Sequence, residues 1–345
     1  MTEWMIYGAN GYTGELIARE AVARGMRPIL AGRSHDAVVK LASALDLPAR
    51  VFPVDSPELH DVGLVLHCAG PFSATSAPMI EACLSTGTHY LDITGEIDVF
   101  EHAHAQHDRA SAAGTVLCPG VGFDVIPTDA VAATLKQHLP GATHLALGFD
   151  SRMKPSPGTA KTSLESLASG GRIRRDGRLV VVPMGAMIRQ IDFGAGMKTA
   201  MTIPWGDVAT AFYTTGIPNI EVYLPSSPKR AKQLRFIHYL RPILGGTVLR
   251  QMMRRRVEKS VVGPDAATRA KTPVYVWGEA RDPAGQVRTA RIKTPNGYDL
   301  TVTGSLAVVS HLLEQSAQGG YYTPSQLMGA DFVTTLPGCG PLTVS

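Results

Sequence analysis

The fold is decided by the stretch Trp4-Met5-Ile6-Tyr7-Gly8-Ala9-Asn10-Gly11-Tyr12-Thr13-Gly14, in which a short apolar strand runs into a turn rich in glycine. After the turn, the apolar residues between Glu15 and Arg24 follow the spacing of one helix face. Glycine permits backbone angles closed to other residues and lets the main chain approach a ligand closely. The helix presents the N–H groups of its first turn and the positive end of its dipole. The strand, turn and helix together predict a binding site for a diphosphate.

Strands and helices alternate from this turn to about residue 125. Further strands are predicted at 28–32, 51–54, 62–69, 90–93 and 115–118, and helices at 36–45, 78–85 and 100–113. The strands are apolar on both faces, which is typical of a parallel sheet covered by helices on both sides. The pattern therefore predicts an α/β fold with a Rossmann doubly wound parallel sheet at the amino-terminal end.

A different pattern follows residue 124. A helix is predicted at 128–138, then strands at 144–149, 179–182, 274–278, 286–293 and 299–303, and a further helix at 304–315. Because few helices separate these strands, we expect a second α+β domain built on a mostly antiparallel sheet. Two domains also fit a length of 345 residues, at roughly 100–200 residues per domain.

Composition excludes several classes of protein. With 44% hydrophobic and 18% charged residues, the chain has the composition of a globular protein and not of a disordered one. No apolar stretch approaches the roughly 18–20 residues of a membrane-spanning helix, and the first residues lack a signal-peptide pattern. The four cysteines are too few for a disulfide scaffold at this length, and they form no CxxC pair, which argues against structural zinc. We therefore expect a cytoplasmic protein.

The residues after the second predicted strand indicate which dinucleotide the turn binds. NAD-binding domains typically have an acidic residue there, which holds the ribose hydroxyls. This chain has Arg33 and Ser34 instead, and a guanidinium can pair with a 2′-phosphate while the serine adds a donor. We therefore predict NADP(H) as the cofactor. Asp55, after the third predicted strand, lies where an adenine contact is usual, or it forms a turn.

Six segments of the sequence together resemble a known protein family. They are residues 7–14, residues 31–34, Gly70-Pro71-Phe72, residues 88–96, Gly122-Phe123-Asp124, and residues 321–324 with Met328-Gly329. Together they resemble the saccharopine dehydrogenase-like NADP-binding oxidoreductase family, which includes saccharopine reductases and trans-acting enoyl reductases. The resemblance is specific over about the first 125 residues and general over the middle of the chain. It implies a Rossmann NADP-binding domain at 1–125, a substrate or dimerisation domain at 126–303, and a segment at 304–345 that returns to the Rossmann domain.

The resemblance also implies roles for the matched residues. The pyrophosphate would be lined by Gly8, Asn10, Gly11, Tyr12, Thr13 and Gly14, and the 2′-phosphate would be held by Arg33 and Ser34. The nicotinamide ribose would be bordered by Ala69, Gly70, Pro71 and Phe72 at the end of the fourth strand. This arrangement agrees with the usual position of ligands outside the carboxyl ends of parallel strands.

Hydride transfer needs a proton donor or charge stabiliser besides the cofactor, and three residues are candidates. Glu96 follows the fifth strand and faces the nicotinamide or substrate, or alternatively it is an acidic residue at a helix start. Asp124 resembles the family position at which an aspartate meets a substrate amine, and the alternative is a helix cap. Lys161 is either a proton donor or a solvated lysine.

Other active sites are not supported by the sequence. The chain has no Tyr-x-x-x-Lys pair, which argues against the mechanism of short-chain reductases, and it has no Gly-x-Ser-x-Gly elbow. His102, His104 and His107 do not indicate a metal, because residues two apart point to different helix faces and no HExxH pattern accompanies them. We therefore predict no metal site.

Residues 229–258 form a basic segment of alternating cations and apolar side chains. Between Pro228 and Ser260 there are ten Lys/Arg residues and a single acidic one. Pro242 and Gly245-Gly246 divide the segment into two predicted helices. Basic amphipathic helices of this kind bind an anionic membrane surface, an acidic carrier protein or a lipid-like substrate, or they pack their apolar side onto the second domain. No stacking platform or helix-turn-helix spacing supports nucleic-acid binding. We therefore expect a cytoplasmic protein that can bind a membrane surface peripherally through this segment.

These observations favour an NADPH-dependent oxidoreductase that transfers hydride to a C=C, C=N or C=O bond. The expected substrate is small or acyl-type, with the basic segment favouring an acyl or lipid-like molecule. A sheet face exposed in the middle domain would make a homodimer the expected assembly. The alternative hypothesis is a non-catalytic NADP-binding sensor or scaffold protein.

The assignment of the 2′-phosphate site can be tested by Arg33→Asp. The new carboxylate repels the 2′-phosphate, so the variant should bind NADPH more weakly and shift its preference towards NADH. Dissociation constants for both nucleotides, measured by fluorescence titration, check this. An unchanged ratio of the two constants would contradict the assignment.

Overall fold

The computed structural model describes residues 3–151, 170–239 and 263–345. The chain divides into two compact units: Met1–Ile126 with Tyr298–Met328, and Pro127–Gly297 with Gly329–Ser345. The sequence predicts ranges of 1–125, 126–303 and 304–345. Within the described ranges, no helix is both long enough and apolar enough to cross a membrane.

The elements of the described ranges are as follows. The strands are β1 Glu3–Tyr7, β2 Ile29–Gly32, β3 Ala49–Val51, β4 Val62–His67, β5 His89–Asp92, β6 Val116–Cys118, β7 His144–Asp150, β8 Gly171–Arg175, β9 Arg178–Val182, β10 Ile188–Asp192, β11 Met197–Ile203, β12 Asn219–Pro225, β13 Val274–Arg281, β14 Val287–Thr294, β15 Gly320–Tyr321 and β16 Thr343–Val344. The helices are α1 Tyr12–Ala23, α2 His35–Leu45, α3 Phe72–Thr86, α4 Ile97–His104, α5 His107–Ala112, α6 Ile126–His138, α7 Asp207–Thr215, α8 Pro228–Tyr239, α9 Ala266–Ala270, α10 Gly297–Glu314, α11 Pro324–Met328 and α12 Phe332–Thr335.

The first unit is built on a parallel sheet in the order β15-β6-β5-β4-β1-β2-β3. Each neighbouring pair in this sheet is parallel. Met5, Ile6, Leu64 and Leu66 are fully buried in it, as their apolar character on both faces of the strands requires. The strand order reverses at β1, which lies between β2 and β4, and ligands of doubly wound sheets bind at such a point. The predicted Rossmann sheet is confirmed.

The second unit is built on a sheet in the order β10-β11-β12-β7-β13-β14-β16, with the β8–β9 hairpin attached to β12 through β8. Among the pairs in the described residues, β12 and β7 are parallel and the others are antiparallel. The predicted mostly antiparallel sheet is therefore confirmed. Helix α6 packs closely on it, because a Cβ added at Gly278 would lie 2.4 Å from Val131 Cγ1 and 2.9 Å from Leu135 Cδ1.

The strand predicted at 299–303 is wrong, because these residues lie in α10. Their β-branched side chains favour a strand, yet the helix buries Leu300 and Val302, and packing overrides this weak preference. The Thr303 hydroxyl donates to the Asp299 carbonyl at 3.0 Å, so it is also satisfied within the helix.

Three predicted boundaries also shift. Helix α3 begins at Phe72, six residues before the predicted start, with Pro78 inside it. Strand β3 ends at Val51, so Asp55 lies in a turn closed by a bond from Ser56 N–H to the Pro53 carbonyl. The helix predicted at 100–113 consists of α4 and α5.

The close packing of α6 on the sheet predicts the effect of Gly278→Ala. The new methyl group meets fully buried neighbours, so the free energy of unfolding should fall by about 1–3 kcal/mol. Gly141→Ala is the matched control, since an added Cβ there meets nothing within 4 Å, and its stability should be unchanged or slightly higher. Urea unfolding followed by circular dichroism measures both, and equal stabilities of the two variants would contradict the packing argument.

Candidate functional site

The glycine turn after β1 is compact and closely packed. Gly8 has a φ of +83°, and the N–H groups of Gly8 and Ala9 donate to the Ala31 carbonyl at 2.8 and 3.1 Å. A Cβ on Gly14 would lie 2.3 Å from the Gly8 carbonyl oxygen, so only glycine lets α1 begin so near the turn. Gly11 precedes α1 and has no side chain to cap it. The turn thus has the backbone and helix end that a diphosphate requires.

The segment after β4 lies directly beside this turn. A Cβ on Gly8 would lie 2.7 Å from the Ala69 nitrogen and 2.8 Å from the Ala69 Cβ. The Cys68 N–H donates to the Tyr7 carbonyl at 2.7 Å, so β4 remains paired with β1 up to this point. Ala69, Gly70 and Pro71 therefore border the turn, while Phe72 begins α3. The structure brings together the two segments that the sequence assigns to the pyrophosphate and the nicotinamide ribose.

Arg33 and Ser34 lie at the neighbouring strand end, between β2 and α2. Arg33 is exposed, and Ser34 is the residue before α2 but its side chain does not cap that helix. Asn10 connects this region to the turn, since its Oδ1 would lie 3.0 Å from a Cβ on Gly32. A phosphate at this helix end would meet a cation, a hydroxyl and the helix dipole.

Tyr7 shows that the Arg33 and Asp55 charges act on the same region. Its hydroxyl donates to the Phe52 carbonyl at 3.2 Å. Burial raises the pKa of Tyr7, the positive charge of Arg33 lowers it, and the negative charge of Asp55 raises it. The charges of Arg33 and Asp55 thus both act on the Tyr7 hydroxyl, although Asp55 lies in a turn and does not end a strand.

Asp92 ends β5 and is fully buried. Its carboxylate accepts hydrogen bonds from the Tyr90 hydroxyl at 2.6 Å, the Thr94 N–H at 3.0 Å and the Gly120 N–H at 2.8 Å. Burial raises the pKa of Asp92 to about 6, although the three donors lower it. These bonds tie the end of β5 to the loop after β6.

Glu96 holds the beginning of a helix that is not its own. It precedes α4, but its two carboxylate oxygens accept hydrogen bonds from the N–H groups of Phe72 and Ser73 at 2.9 and 2.7 Å. These groups belong to the first turn of α3, where a negative charge is favourable. Glu96 therefore connects the loop after β5 to the segment predicted to border the nicotinamide. Its catalytic role stays a prediction.

Asp124 lies in the loop between β6 and α6, against Gly95. A Cβ on Gly95 would lie 2.7 Å from Asp124 Oδ2, so the two loops meet without an intervening side chain. Asp124 keeps some exposure, but its carboxyl group is surrounded by enough protein to raise its pKa to about 7, and the negative charge of Glu96 contributes. A carboxyl group of this kind can hold or release a proton near neutral pH.

Helix α10, which belongs to the first unit from Tyr298 onwards, supports both ends of this site. Sequence reasoning missed its contacts. Thr301 Oγ1 in α10 accepts a hydrogen bond from the Phe123 N–H at 3.0 Å, beside Asp124. The Tyr12 ring, after the glycine turn, meets the Tyr298 ring edge to face at 5.0 Å between centroids. Periodicity could not reveal these contacts, because the partners lie almost two hundred residues or more apart.

His67 and Thr75 were also missed, and Lys161 cannot be placed. His67 is the last residue of β4, and a polar residue ending an apolar strand was an available signal. Lys161 lies outside the described residues, as does most of the basic segment 229–258. Of that segment, residues 229–239 are described, and Lys229, Arg230 and Lys232 are exposed at the start of α8.

Comparison with protein families gives an independent view of the first unit. Residues 4–118 match the family model of the saccharopine dehydrogenase NADP binding domain. The match covers β1 to β6 and therefore includes the glycine turn, Arg33, Ser34 and the segment after β4. It ends before Asp124.

Individual relatives extend the comparison. A probable mitochondrial saccharopine dehydrogenase-like oxidoreductase of Arabidopsis thaliana is 28% identical over 204 residues, covering 50% of this chain and 44% of that protein. The trans-acting enoyl reductase of Mycobacterium leprae is 31% identical over 138 residues, covering 36% of this chain and 33% of that protein. The chain thus aligns with less than half the length of either relative.

A solved structure shows the same fold at low identity. The apo saccharopine dehydrogenase (L-Glu forming) of Saccharomyces cerevisiae has a TM-score of 0.62 and 10% identity, covering 100% of this chain and 99% of the other. The likeness concerns the fold alone.

The raised pKa of Asp124 predicts how stability changes with pH. Below the ordinary aspartate value of 3.8 the folded and unfolded chains both hold this proton, and above it the unfolded chain loses it first. The stabilisation is therefore lost as the pH rises through about 7. The variant Asp124→Asn has no titrating carboxyl group at this position and does not lose this stabilisation. Its free energy of unfolding relative to that of the wild type should therefore rise by about 1–3 kcal/mol from pH 5 to pH 8.

Urea unfolding at pH 5, 6, 7 and 8 measures this difference. The control is Asp61→Asn at an exposed site with a φ of +64°, which asparagine also adopts readily. If the difference in free energy of unfolding between Asp124→Asn and wild type stays constant over this range, the raised pKa of Asp124 is contradicted.

Proposed function

Because residues 4–118 match the family model of the saccharopine dehydrogenase NADP binding domain, we propose that the protein is an NADPH-dependent oxidoreductase. It transfers hydride to a C=C, C=N or C=O bond of a small or acyl-type substrate. One observation carries the proposal: the carboxyl edge of a single parallel sheet holds the glycine turn, the exposed cation Arg33 and the carboxyl group of Asp124, which has a pKa of about 7.

The strand order gives the cofactor a direction. Along the edge, β2 bears Arg33, β1 bears the glycine turn, β4 bears Ala69, and β5 and β6 bear the carboxylates. Strands β2 and β6 are four strands apart, about 19 Å at the usual spacing of about 4.8 Å. An extended dinucleotide fits along this edge with its adenosine at Arg33 and its nicotinamide towards β4 and β5. When bound, the cofactor supplies the hydride.

Asp124 is the proposed proton donor. Near its pKa of about 7 a substantial fraction of the carboxyl group is protonated, so it can give a proton to the substrate atom on which negative charge develops. Gly95 lets the carboxyl group approach the loop after β5, and the hydrogen bond from Phe123 to Thr301 holds the loop that carries it. Glu96 contributes by disfavouring a second negative charge nearby.

The class of substrate is supported by two observations. Similarity to a trans-acting enoyl reductase favours reduction of a C=C bond in an acyl chain. The exposed Lys229, Arg230 and Lys232 favour an acidic partner for the basic segment, such as a carrier protein or an anionic membrane surface. We therefore propose an enoyl-type acyl substrate before an imine or ketone.

Turnover tests the proposal. Purified protein with NADPH should oxidise the cofactor, followed at 340 nm, with at least one member of a panel of enoyl thioesters, cyclic imines and ketones. Asp124→Asn should lower kcat by about 10²–10⁴-fold with little change in the dissociation constant for NADPH. The wild-type value of kcat/KM should fall above about pH 7, where Asp124 loses its proton.

Two results would contradict this function. If NADPH binds but no panel member is reduced, a non-catalytic sensor or scaffold becomes the better interpretation. If Asp124→Asn retains wild-type kcat and the same pH profile, Asp124 is not the proton donor.

A further inference from the structure

His67 is a buried histidine in an aromatic cage at the end of β4. It is fully buried, and its ring centroid lies 5.5, 5.2 and 6.2 Å from those of Tyr7, Phe72 and Tyr90. Burial lowers the pKa of His67 to about 3, so the ring is neutral at physiological pH. Its Nε2 lies 2.9 Å from Thr75 Oγ1, whereas its Nδ1 has no hydrogen-bond partner in the part of the chain that the structure describes.

The neighbours of Thr75 decide which way the hydrogen bonds run. Thr75 Oγ1 lies 2.7 Å from the Ala69 carbonyl oxygen and 3.1 Å from the Pro71 carbonyl oxygen. Carbonyl oxygens only accept, so the single hydroxyl proton of Thr75 must point towards them. Thr75 Oγ1 can then only accept from His67, and the proton on the ring belongs to Nε2. The bare Nδ1 is therefore a buried acceptor without a donor, which is unfavourable for folding.

These hydrogen bonds lead from His67 through Thr75 to the segment predicted to border the nicotinamide. Ala69 packs against Gly8 of the glycine turn, and Glu96 accepts hydrogen bonds from the N–H groups of Phe72 and Ser73, just after Pro71. The Thr75 hydroxyl completes the support by binding the carbonyl side of the same segment. The hydrogen bond from His67 Nε2 to Thr75 is therefore present together with an unsatisfied buried acceptor at Nδ1. An apolar residue at position 67 would remove both the hydrogen bond and the unsatisfied acceptor.

We propose that His67 and Thr75 are positioning residues that hold the Ala69–Pro71 segment in the conformation that receives the nicotinamide half of the dinucleotide. The inference rests on the cofactor placement of the proposed function. It assigns these residues no proton transfer and no contact with substrate. Their effect should therefore appear in binding of the nicotinamide half and not of the adenosine half.

Two ligands separate the two halves. NADPH reaches both, whereas adenosine 2′,5′-bisphosphate reaches the phosphate turn and Arg33 only. Thr75→Val removes the hydroxyl with little change of shape, and it should raise the dissociation constant of NADPH about three- to tenfold while leaving that of the bisphosphate unchanged. Thr75→Ser keeps the hydroxyl and should bind both ligands like wild type.

The same helix offers a matched control. The Thr86 hydroxyl also donates to a carbonyl four residues earlier, that of Ala82 at 2.9 Å, but far from the cofactor edge. Thr86→Val should therefore change neither dissociation constant. If Thr75→Val weakens both ligands equally, or neither, the positioning role is overturned. If the wild-type protein binds neither ligand, the cofactor placement itself fails, which is a distinct result.

His67→Leu provides a second test in which stability and binding move differently. Leucine fills a similar volume and removes the unpaired Nδ1, so the thermal midpoint should be unchanged or higher. NADPH binding should nevertheless weaken about three- to tenfold, because Thr75 loses the donor that orients it. Unchanged NADPH affinity, or loss of stability together with loss of bisphosphate binding, would overturn the proposal.

Discussion

The absence of a side chain at Gly8 is the constraint on which the first unit depends. At this residue the end of β1, the segment after β4 and the start of α1 approach so closely that a Cβ would lie within 2.8 Å of Ala69 atoms. The positive φ of Gly8 turns the chain. Helix α1 can begin directly beside the turn because Gly14 has no Cβ, which would lie 2.3 Å from the Gly8 carbonyl oxygen. The glycine turn and the segment after β4 are adjacent because of these contacts.

Charge is distributed unequally along the same edge. The exposed Arg33 lies at the β2 end, whereas Asp92, Glu96 and Asp124 lie beyond β4. Burial disfavours the charged forms of Asp92 and Asp124, and the negative charge of Glu96 adds to this effect. The pKa values of about 6 for Asp92 and about 7 for Asp124 follow from that environment. One end of the edge thus favours a phosphate, and the other retains protons near neutral pH.

Support for the site comes from distant parts of the chain. Thr301 and Tyr298, in the returning helix α10, contact the loop before Asp124 and the helix after the glycine turn. The β-branched residues at 299–303 predict a strand because propensity describes a single segment. In the structure, burial of Leu300 and Val302 and the contact of Thr301 with Phe123 select a helix. The strand predicted at 299–303 is therefore wrong because a local sequence pattern carries no information about which distant residues surround a side chain.

The sequence by itself determined the parallel sheet, the glycine turn and the cation that follows β2, because each depends on residues close together in the chain. It also identified Glu96 and Asp124 as polar residues at strand ends. Only the tertiary structure decided that Glu96 binds the start of α3, that Asp124 lies against Gly95, and that His67 supports Thr75. Hydrogen-bond partners and burial arise when separate strands are brought to one edge, and they set both the pKa values and the positions of these groups.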